Sequence, residues 1–187
     1  MAMLGKAVRM SRLVNPESGK MMAITVDHAI SRGIAPLKGL QPIQETIRKI
    51  IAGRPDAMTM TKGIAEQCMW PFAGQVSLLM KVSNYSPAAP TRDTIFGSVD
   101  EAVRMGADAV SMGAMTLGDF QGEQFAAIGR FSEECMAKGM PLIGHVYPKG
   151  ESVPADKQTS WENIAYCVRI ACELGMDIVK TTYTGDP

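Results

Sequence analysis

A strand-and-helix unit recurs along the chain at a nearly constant spacing. Gly106, Gly139 and Gly175 each end a predicted helix, and a short apolar run follows each of them within a few residues. These glycines lie 33 and 36 residues apart, which is the length of one βα unit. Repeated βα units predict parallel strands, and the continuous apolar character of the runs indicates burial on both faces of a sheet.

Six strands follow from this pattern, each bounded by glycine, proline or polar residues. They are predicted at residues 21–26, 56–60, 76–80, 108–112, 141–146 and 177–180. Between them lie a helix from Pro42 to Gly53 and two helices that begin with capping boxes at Ser98-Val99-Asp100-Glu101 and Thr159-Ser160-Trp161-Glu162. Residues 6–20 are interpreted as a basic, polar segment ending in a turn, and residues 87–90 as a proline-rich excursion.

Two architectures fit repeated βα units: an open doubly wound sheet and a closed barrel. No Gly-x-Gly-x-x-Gly motif follows the first strand, which disfavours the dinucleotide-binding sheet. Polar residues end five of the strands, namely Asp27, Lys62, Lys81, Tyr147 and Lys180. A barrel brings all strand ends into one mouth. We therefore predict an α/β fold of the (β/α)8 TIM barrel type, with residues 1–187 as a single domain that supplies about the first six βα units and lacks the last two.

Composition excludes several classes of function. The formal net charge is zero and the pI is near 6.7, so neither nucleic acid nor an anionic membrane surface is an expected partner. Hydrophobic residues make up 46% of the chain, but no apolar run is long enough to span a bilayer. Four scattered cysteines without a Cys-x-x-Cys motif favour a reduced, cytoplasmic setting.

Lys180 is the candidate nucleophile. It ends the apolar run Ile178-Val179, and polar, turn-forming residues follow it. A lysine at the end of a buried strand is costly to desolvate, and a desolvated amine keeps more of the free base that attacks a carbonyl. Lys62 and Lys81 end strands in the same way, and they either bind anionic substrate groups or make ion pairs. A lysine that simply ends a strand is the ordinary alternative for Lys180 as well.

Other candidates are a tyrosine, a carboxylate and two histidines. Tyr147 suits proton transfer, and Asp27 can assist at the amine; alternatively, Tyr147 caps the core and Asp27 stabilises a turn. His28 and His145 with Asp27 would in principle make a two-histidine, one-carboxylate metal site. A Schiff-base lysine removes the need for a Lewis acid, so no metal or other cofactor is expected. His28 then orients Asp27, and His145 contacts substrate.

Several motifs together carry a resemblance to a known family. The chain is similar to the class I, Schiff-base aldolases that include archaeal-type fructose-bisphosphate aldolase and 2-amino-3,7-dideoxy-D-threo-hept-6-ulosonate synthase, with an autoinducer-processing thiolase as a further branch. The matching stretches run in order along nearly the whole chain: residues 5–9, Val26-Asp27-His28, residues 62–64, residues 99–110, Tyr147-Pro148-Lys149-Gly150, Ile178-Val179-Lys180-Thr181 and residues 183–186. Ala29 departs from the glycine that usually follows Asp-His in the family.

The resemblance implies a (β/α)8 barrel and a Schiff base at Lys180, with Tyr147 as acid/base and Asp27 as the carboxylate. It implies a phosphorylated ketose or triose phosphate as substrate. The candidate substrate-binding residues are His28, His145, Lys62, Lys149 and Lys81. The activity expected is carbon–carbon bond cleavage or formation, as a lyase or transaldolase, in a homo-oligomer. The family holds phosphate with the loop after strand one and with loops after strands seven and eight, and the latter two are absent from this sequence.

Two alternatives stay open. The thiolase, or acyltransferase, branch lacks the Tyr-Pro-basic-Gly segment that this chain has at Tyr147, which weakens that assignment. A second hypothesis is a non-catalytic barrel fragment that associates with a partner, since an unclosed sheet edge after strand six favours association. Between the two aldolase types, the loop at residues 33–40 and the segment at residues 99–110 resemble the synthase more closely.

Overall fold

A parallel six-stranded sheet forms the centre of the computed structural model, which describes residues 3–33, 35 and 37–185. Ile34 and Pro36 of the predicted loop and Asp186 of the C-terminal motif lie outside the described residues. The sheet order is β1-β2-β3-β6-β7-β8, and it curls into part of a barrel. Its strands are β1 (Ala23–Thr25), β2 (Ala57–Thr61), β3 (Ser77–Lys81), β6 (Ala109–Met115), β7 (Leu142–Tyr147) and β8 (Ile178–Lys180).

Helices and one hairpin connect these strands. The helices are α1 (Leu4–Leu13), α2 (His28–Arg32), α3 (Leu37–Leu40), α4 (Ile43–Ala52), α5 (Lys62–Cys68), α6 (Val99–Arg104), α7 (Gln121–Lys138) and α8 (Trp161–Glu173), with short 3-10 turns at Trp70–Phe72 and Ala155–Lys157. The hairpin pairs β4 (Ser83–Ser86) with β5 (Ala89–Ile95) in antiparallel fashion. No helix in the described part of the chain combines the length and the apolar character needed to cross a membrane.

All six predicted strands form, and all pairings within the sheet are parallel. Ser98 caps α6 as predicted, because its side chain accepts a hydrogen bond from the Glu101 amide at 3.1 Å. The predicted cap of α8 is shifted: Ser160, rather than Thr159, accepts the bond, from the Asn163 amide. Two segments differ more. Residues 6–13 of the basic segment belong to α1, and the proline-rich excursion at residues 87–90 is the turn of the hairpin and the start of its second strand, β5.

Two apolar clusters bury the two faces of the sheet. The outer cluster lies between the sheet and helices α4 to α8, and Met58, Met80 and Val110 are among its fully buried members. The inner cluster is smaller and contains Leu79, Ile143 and Leu13 of α1. Helix α1 was missed because its basic residues suggested a solvated polar segment, whereas Lys6 and Arg9 bond to Asp177 and to the Gly139 carbonyl, and Met10 and Leu13 pack beneath the sheet. This helix therefore covers the amino end of the strands.

Aspartates join neighbouring strands at that amino end. The carboxylates of Asp56, Asp108 and Asp177 each accept a hydrogen bond from the backbone amide of the preceding strand in the sheet, at Met22, Leu78 and Leu142 respectively. Asp108 and Asp177 also form ion pairs with Arg12 and Lys6 of α1, at 3.1 and 2.9 Å. The repeated Gly-x-Asp segments thus end a helix, begin a strand and anchor α1.

Candidate active site

A cavity of about 330 Å³ lies at the carboxyl end of the parallel strands. Side chains from β3, β7 and β8, from the start of α2, and from the hairpin all line it. Seven of the eight site residues predicted from the sequence are among them: Asp27, His28, Lys81, His145, Tyr147, Lys149 and Lys180. The carboxyl end of parallel strands is where barrel enzymes place their active sites.

The strand register determines the relative heights of these side chains. Lys180 of β8 lies directly beside His145 of β7, and His145 lies beside Gly113 of β6. Tyr147 comes two residues after His145 and therefore points to the same face, one step nearer the mouth. Lys81 pairs with Ser111, which lies two residues before Gly113 on β6 and therefore deeper in the cavity. The two lysines thus approach one cavity from opposite sides of the curled sheet, at different depths.

Burial differs between Lys180 and Lys81. Lys180, which the sequence predicts to be desolvated, is exposed in the described residues, where β8 is an edge strand. Lys81 is only 2% exposed. Burial lowers the pKa of Lys81 to about 8; Asp93 and Asp27 oppose this shift, and Lys180 adds to it. The exposed Lys180 amine is open to a substrate, whereas the buried amine belongs to Lys81.

Neighbouring side chains on β7 are also shifted by burial. Burial lowers the pKa of His145 well below its usual value, and the positive charges of Lys81, Lys180 and His28 add to the effect. His145 is therefore a neutral imidazole that can donate or accept hydrogen bonds but does not carry charge. Burial also raises the pKa of Tyr147, with Tyr85 and Asp27 adding to the shift and Arg32 opposing it. Tyr147 accordingly keeps its phenolic proton at neutral pH.

Asp27 and His28 stand where β1 passes into α2. Asp27 immediately precedes the helix, and within the described residues its side chain does not cap that helix. The amide of Asn84 donates to the Asp27 carbonyl at 3.4 Å, which links the segment to the hairpin. The Asp27 carboxylate affects the pKa of both Lys81 and Tyr147. Asp27 thus lines the cavity, and its catalytic role stays a prediction.

The hairpin contributes a carboxylate that the sequence did not predict. Asp93 of β5 accepts hydrogen bonds from the Ser83 hydroxyl and from the Gly113 amide, the latter at 3.1 Å. A β-carbon at Gly113 would lie 2.5 Å from this carboxylate, so only glycine leaves room for it. Burial raises the pKa of Asp93, against the opposing effects of Lys81, Ser83 and the Gly113 amide. Its Oδ1 atom is buried and has no hydrogen-bond partner among the described residues.

The two remaining predicted lysines differ in position. The Lys149 ammonium lies 4.2 Å from the centre of the Tyr85 ring and lines the cavity. Lys62 does not line it: this residue begins α5, and its amine pairs with Glu101 of α6 at 3.0 Å. The ion-pair alternative considered for Lys62 is therefore the one that the structure contains. Lys81, by contrast, takes part in none of the ion pairs of the described chain.

Several cavity residues were missed in the sequence, chiefly Arg32, Asn84, Tyr85 and Asp93. Arg32 belongs to α2, in a region predicted to be a loop, and the other three belong to the hairpin. The β-branched residues Thr91, Thr94 and Ile95 were a weak strand signal, but the two neighbouring prolines concealed it. For metal binding, no group of three or more His, Cys, Asp and Glu side chains in the described chain is arranged to hold an ion.

The cavity contains an accessible lysine amine near a tyrosine and a carboxylate, at the carboxyl end of parallel strands. Enzymes that form Schiff bases with carbonyl substrates use groups of this kind. Comparison with known proteins agrees with this class. Residues 21–186 match the DeoC/LacD family aldolase. The chain belongs to this family.

Individual relatives refine the comparison. The chain is 30% identical over 183 residues to 2-amino-3,7-dideoxy-D-threo-hept-6-ulosonate synthase of Halobacterium salinarum, covering 97% of this chain and 66% of the relative. It is also 30% identical over 178 residues to fructose-bisphosphate aldolase class 1 of Thermoproteus tenax, covering 90% of this chain and 64% of the relative. The chain thus spans about two thirds of the length of these curated relatives.

A solved structure shares the fold at similar identity. It is an archaeal fructose-1,6-bisphosphate aldolase whose catalytic lysine is covalently bound to the carbinolamine intermediate of the substrate. The superposition has a TM-score of 0.84 at 29% identity and covers 97% of this chain and 72% of the other. The partial barrel of six parallel strands therefore matches the fold of this aldolase over the superposed part.

Proposed function

We propose that this protein is a class I aldolase that cleaves or forms a carbon–carbon bond of a phosphorylated ketose through a Schiff base on Lys180. One observation carries the proposal: the strand register places the accessible Lys180 amine on the cavity face beside His145, with Tyr147 one step nearer the mouth. The amine condenses with the ketone to give an iminium, which accepts the electrons released when the neighbouring carbon–carbon bond breaks.

Tyr147 and Asp27 take the proton-transfer roles in this proposal. When the carbon–carbon bond breaks, the hydroxyl on the leaving carbon must give its proton to a base or to water, and an acid must give a proton to the enamine. Tyr147 faces the cavity and holds a phenolic proton at neutral pH, so it can serve as the acid that protonates the enamine. Asp27, on the opposite wall, assists at the amine and the carbinolamine.

The charge of the cavity supports a phosphorylated substrate. Arg32, Lys81, Lys149 and Lys180 face two carboxylates, Asp27 and Asp93, so cations are in excess. Lys149 and His28 stand at the rim, where a phosphate would meet them, and His145 donates to a substrate hydroxyl from the wall. Lys62, which pairs with Glu101, is not part of this proposed substrate site.

The finer assignments are proposals too. We propose that the whole protein forms a (β/α)8 barrel, in which two further βα units would lie between the edge strands β8 and β1. The two named relatives support either synthase or fructose-bisphosphate aldolase activity, and the synthase would act as a transaldolase. A homo-oligomer and a cytoplasmic location remain predictions; the four free cysteines support the latter.

Borohydride reduction tests the Schiff base directly. The protein is incubated with fructose 1,6-bisphosphate or dihydroxyacetone phosphate, reduced with sodium borohydride, digested and mapped by mass. The expected result is an adduct on the peptide that contains Lys180, absent from Lys180→Met and retained in Lys49→Met, a change at an exposed position of α4. An adduct on Lys62 or Lys81, or activity that survives Lys180→Ala and is abolished by a chelator, contradicts the proposal.

A further inference from the structure

Three lysines line the cavity, namely Lys81, Lys149 and Lys180, and the Schiff base employs only one of them. Lys180 is exposed on the edge strand, whereas Lys81 is almost fully buried at the end of β3, with its side chain lining the cavity. A lysine buried to this extent is rare, because desolvating an ammonium is costly unless it is paired. Lys81 forms no ion pair among the described residues. Burying the Lys81 ammonium therefore costs free energy of folding, and its amine stays available to a ligand.

One step of the proposed reaction still needs an acid. Lys180 adds to the ketone carbon and forms a carbinolamine, in which the former carbonyl oxygen is a hydroxyl group. The carbon–oxygen bond must then break so that the nitrogen lone pair can form the iminium. Hydroxide is a poor leaving group, and a proton delivered to that oxygen lets it leave as water. Hydrolysis of the product iminium needs the reverse transfer, from an attacking water to a base.

We propose that Lys81 is a second catalytic residue, which gives its ammonium proton to the carbinolamine hydroxyl and takes a proton back from water when the final iminium is hydrolysed. The proton balance closes over one turnover, since Lys81 ends in the state in which it began and one water leaves and one returns. This proposal rests on the Schiff base at Lys180.

The other groups near Lys180 are less suited to this transfer. His145 lies directly beside Lys180, but it is a neutral imidazole because burial lowers its pKa far below its usual value. Burial raises the pKa of Tyr147, which makes its phenol a weaker acid, and Tyr147 already has a role at the carbon–carbon bond. Lys81, with a pKa of about 8, combines a proton at neutral pH with the ability to release it. An acid of this strength is effective near neutral pH.

Asp93 is the positioning residue for Lys81. Its carboxylate is held by the Ser83 hydroxyl and the Gly113 amide, and it favours the ammonium form of Lys81. The charged and titratable groups that act on Lys81 come from four elements: Asp93 on β5, Asp27 after β1, Lys180 on β8 and His145 on β7. Removing the Asp93 charge therefore makes Lys81 release its proton at lower pH.

The rate of adduct formation as a function of pH tests the proposal. The full chain is reacted with dihydroxyacetone phosphate, and borohydride-reduced adduct on Lys180 is quantified at short times from about pH 6.5 to 9.5. The ratio of the wild-type rate to the Lys81→Met rate should be about 100 at pH 7 and should fall as pH rises through about 8, because Lys81 loses its proton there, whereas both proteins need the free amine of Lys180. Lys49→Met is the control for a lysine-to-methionine change.

Asp93→Asn provides a second, milder variant in case Lys81→Met does not fold. The ratio of its rate to the wild-type rate should fall as pH rises towards 8, because Lys81 loses its proton earlier in this variant, whereas Asp156→Asn, at an exposed position, should keep a constant ratio. Equal rates and an unchanged pH profile in Lys81→Met, or a constant ratio in Asp93→Asn, overturn the role of Lys81 while leaving the Schiff base intact. A wild type that gives no adduct at all contradicts the Schiff base proposal instead.

Discussion

Charged groups at the amino ends of the parallel strands have hydrogen-bond and ion-pair partners, whereas several at the carboxyl ends do not. At the amino end, the carboxylates of Asp108 and Asp177 accept backbone hydrogen bonds and pair with Arg12 and Lys6 of α1. At the carboxyl end, Lys81 is buried and forms no ion pair with any described residue. One oxygen of Asp93 there has no hydrogen-bond partner among the described residues. One end is arranged for stability, and the other retains polar groups at a cost.

This difference explains why the same sheet serves both purposes. Barrel enzymes place catalytic groups at the carboxyl ends of strands and structural contacts at the amino ends. Buried groups whose pKa values are shifted mark functional sites more often than structural ones. Lys81, His145 and Asp93 all carry such shifts, and all lie at the carboxyl end. The comparison predicts that changes at the two ends separate stability from adduct formation.

The largest expected effect on stability comes from the ionisation of Lys81. Its folded-state pKa of about 8 lies below the ordinary value of 10.5, so between these two pH values the unfolded chain binds more protons than the folded chain. Stability therefore rises with pH through this window, by at most about 3 kcal/mol. Below pH 8 the protein bears the full cost of burying the ammonium.

Denaturant unfolding of the wild type and Lys81→Met at about pH 7.5 and 10 measures this effect. The free energy of unfolding of the wild type, relative to the variant, should increase at the higher pH; groups that titrate in both proteins cancel in the difference. Lys49→Met controls for the change to methionine at an exposed site. A difference that is constant with pH would mean that the Lys81 ammonium is not buried. The proposed contrast between the two ends of the strands would then be wrong.

The next largest effect is expected at the amino end. Asp177→Ala removes the carboxylate that accepts from the Leu142 amide at 2.9 Å and from the Lys6 ammonium at 2.9 and 3.0 Å. Loss of hydrogen bonds to a charged group costs about 1.5–3 kcal/mol. Asp177→Asn retains an acceptor for the amide and should cost less. Both variants should still form the Lys180 adduct, so a variant of normal stability without the adduct would place Asp177 in the chemistry.

The parallel sheet and the positions of its strand ends were predictable from the sequence, because βα spacing and apolar runs reflect burial on both faces. The cavity positions of Asp27, Tyr147 and Lys180 followed, since parallel strands end at one edge. The exposure of Lys180 was not predictable: it depends on whether a strand lies beside β8, which the local sequence does not report. Strand-end position alone likewise could not distinguish Lys81, in the cavity, from Lys62, paired with Glu101.

The hairpin and α1 were missed for a different reason. Prolines at positions 87 and 90 suggested irregular chain, but Pro87 lies in the turn of the hairpin and Pro90 near the start of β5, in an antiparallel pair outside the main sheet, where proline is tolerated. Asp93 entered the cavity only because Gly113, on another strand, leaves space for it. Such a contact joins residues that no local pattern connects. The role of Asp108 and Asp177 in anchoring α1 was hidden in the same way.

The smallest expected effect tests whether every polar group at the carboxyl end is functional. Ser98 caps α6 with a hydrogen bond of 3.1 Å from the Glu101 amide, and Ser160 caps α8 with a longer one of 3.5 Å from the Asn163 amide. Ser98→Ala should lower the free energy of unfolding by about 1 kcal/mol, and Ser160→Ala by less, because a stretched bond contributes less. Thermal and denaturant unfolding measure both. Adduct formation on Lys180 should be unchanged in each; if Ser98→Ala alters it without loss of stability, the cap belongs to the site, and the functional region extends to α6.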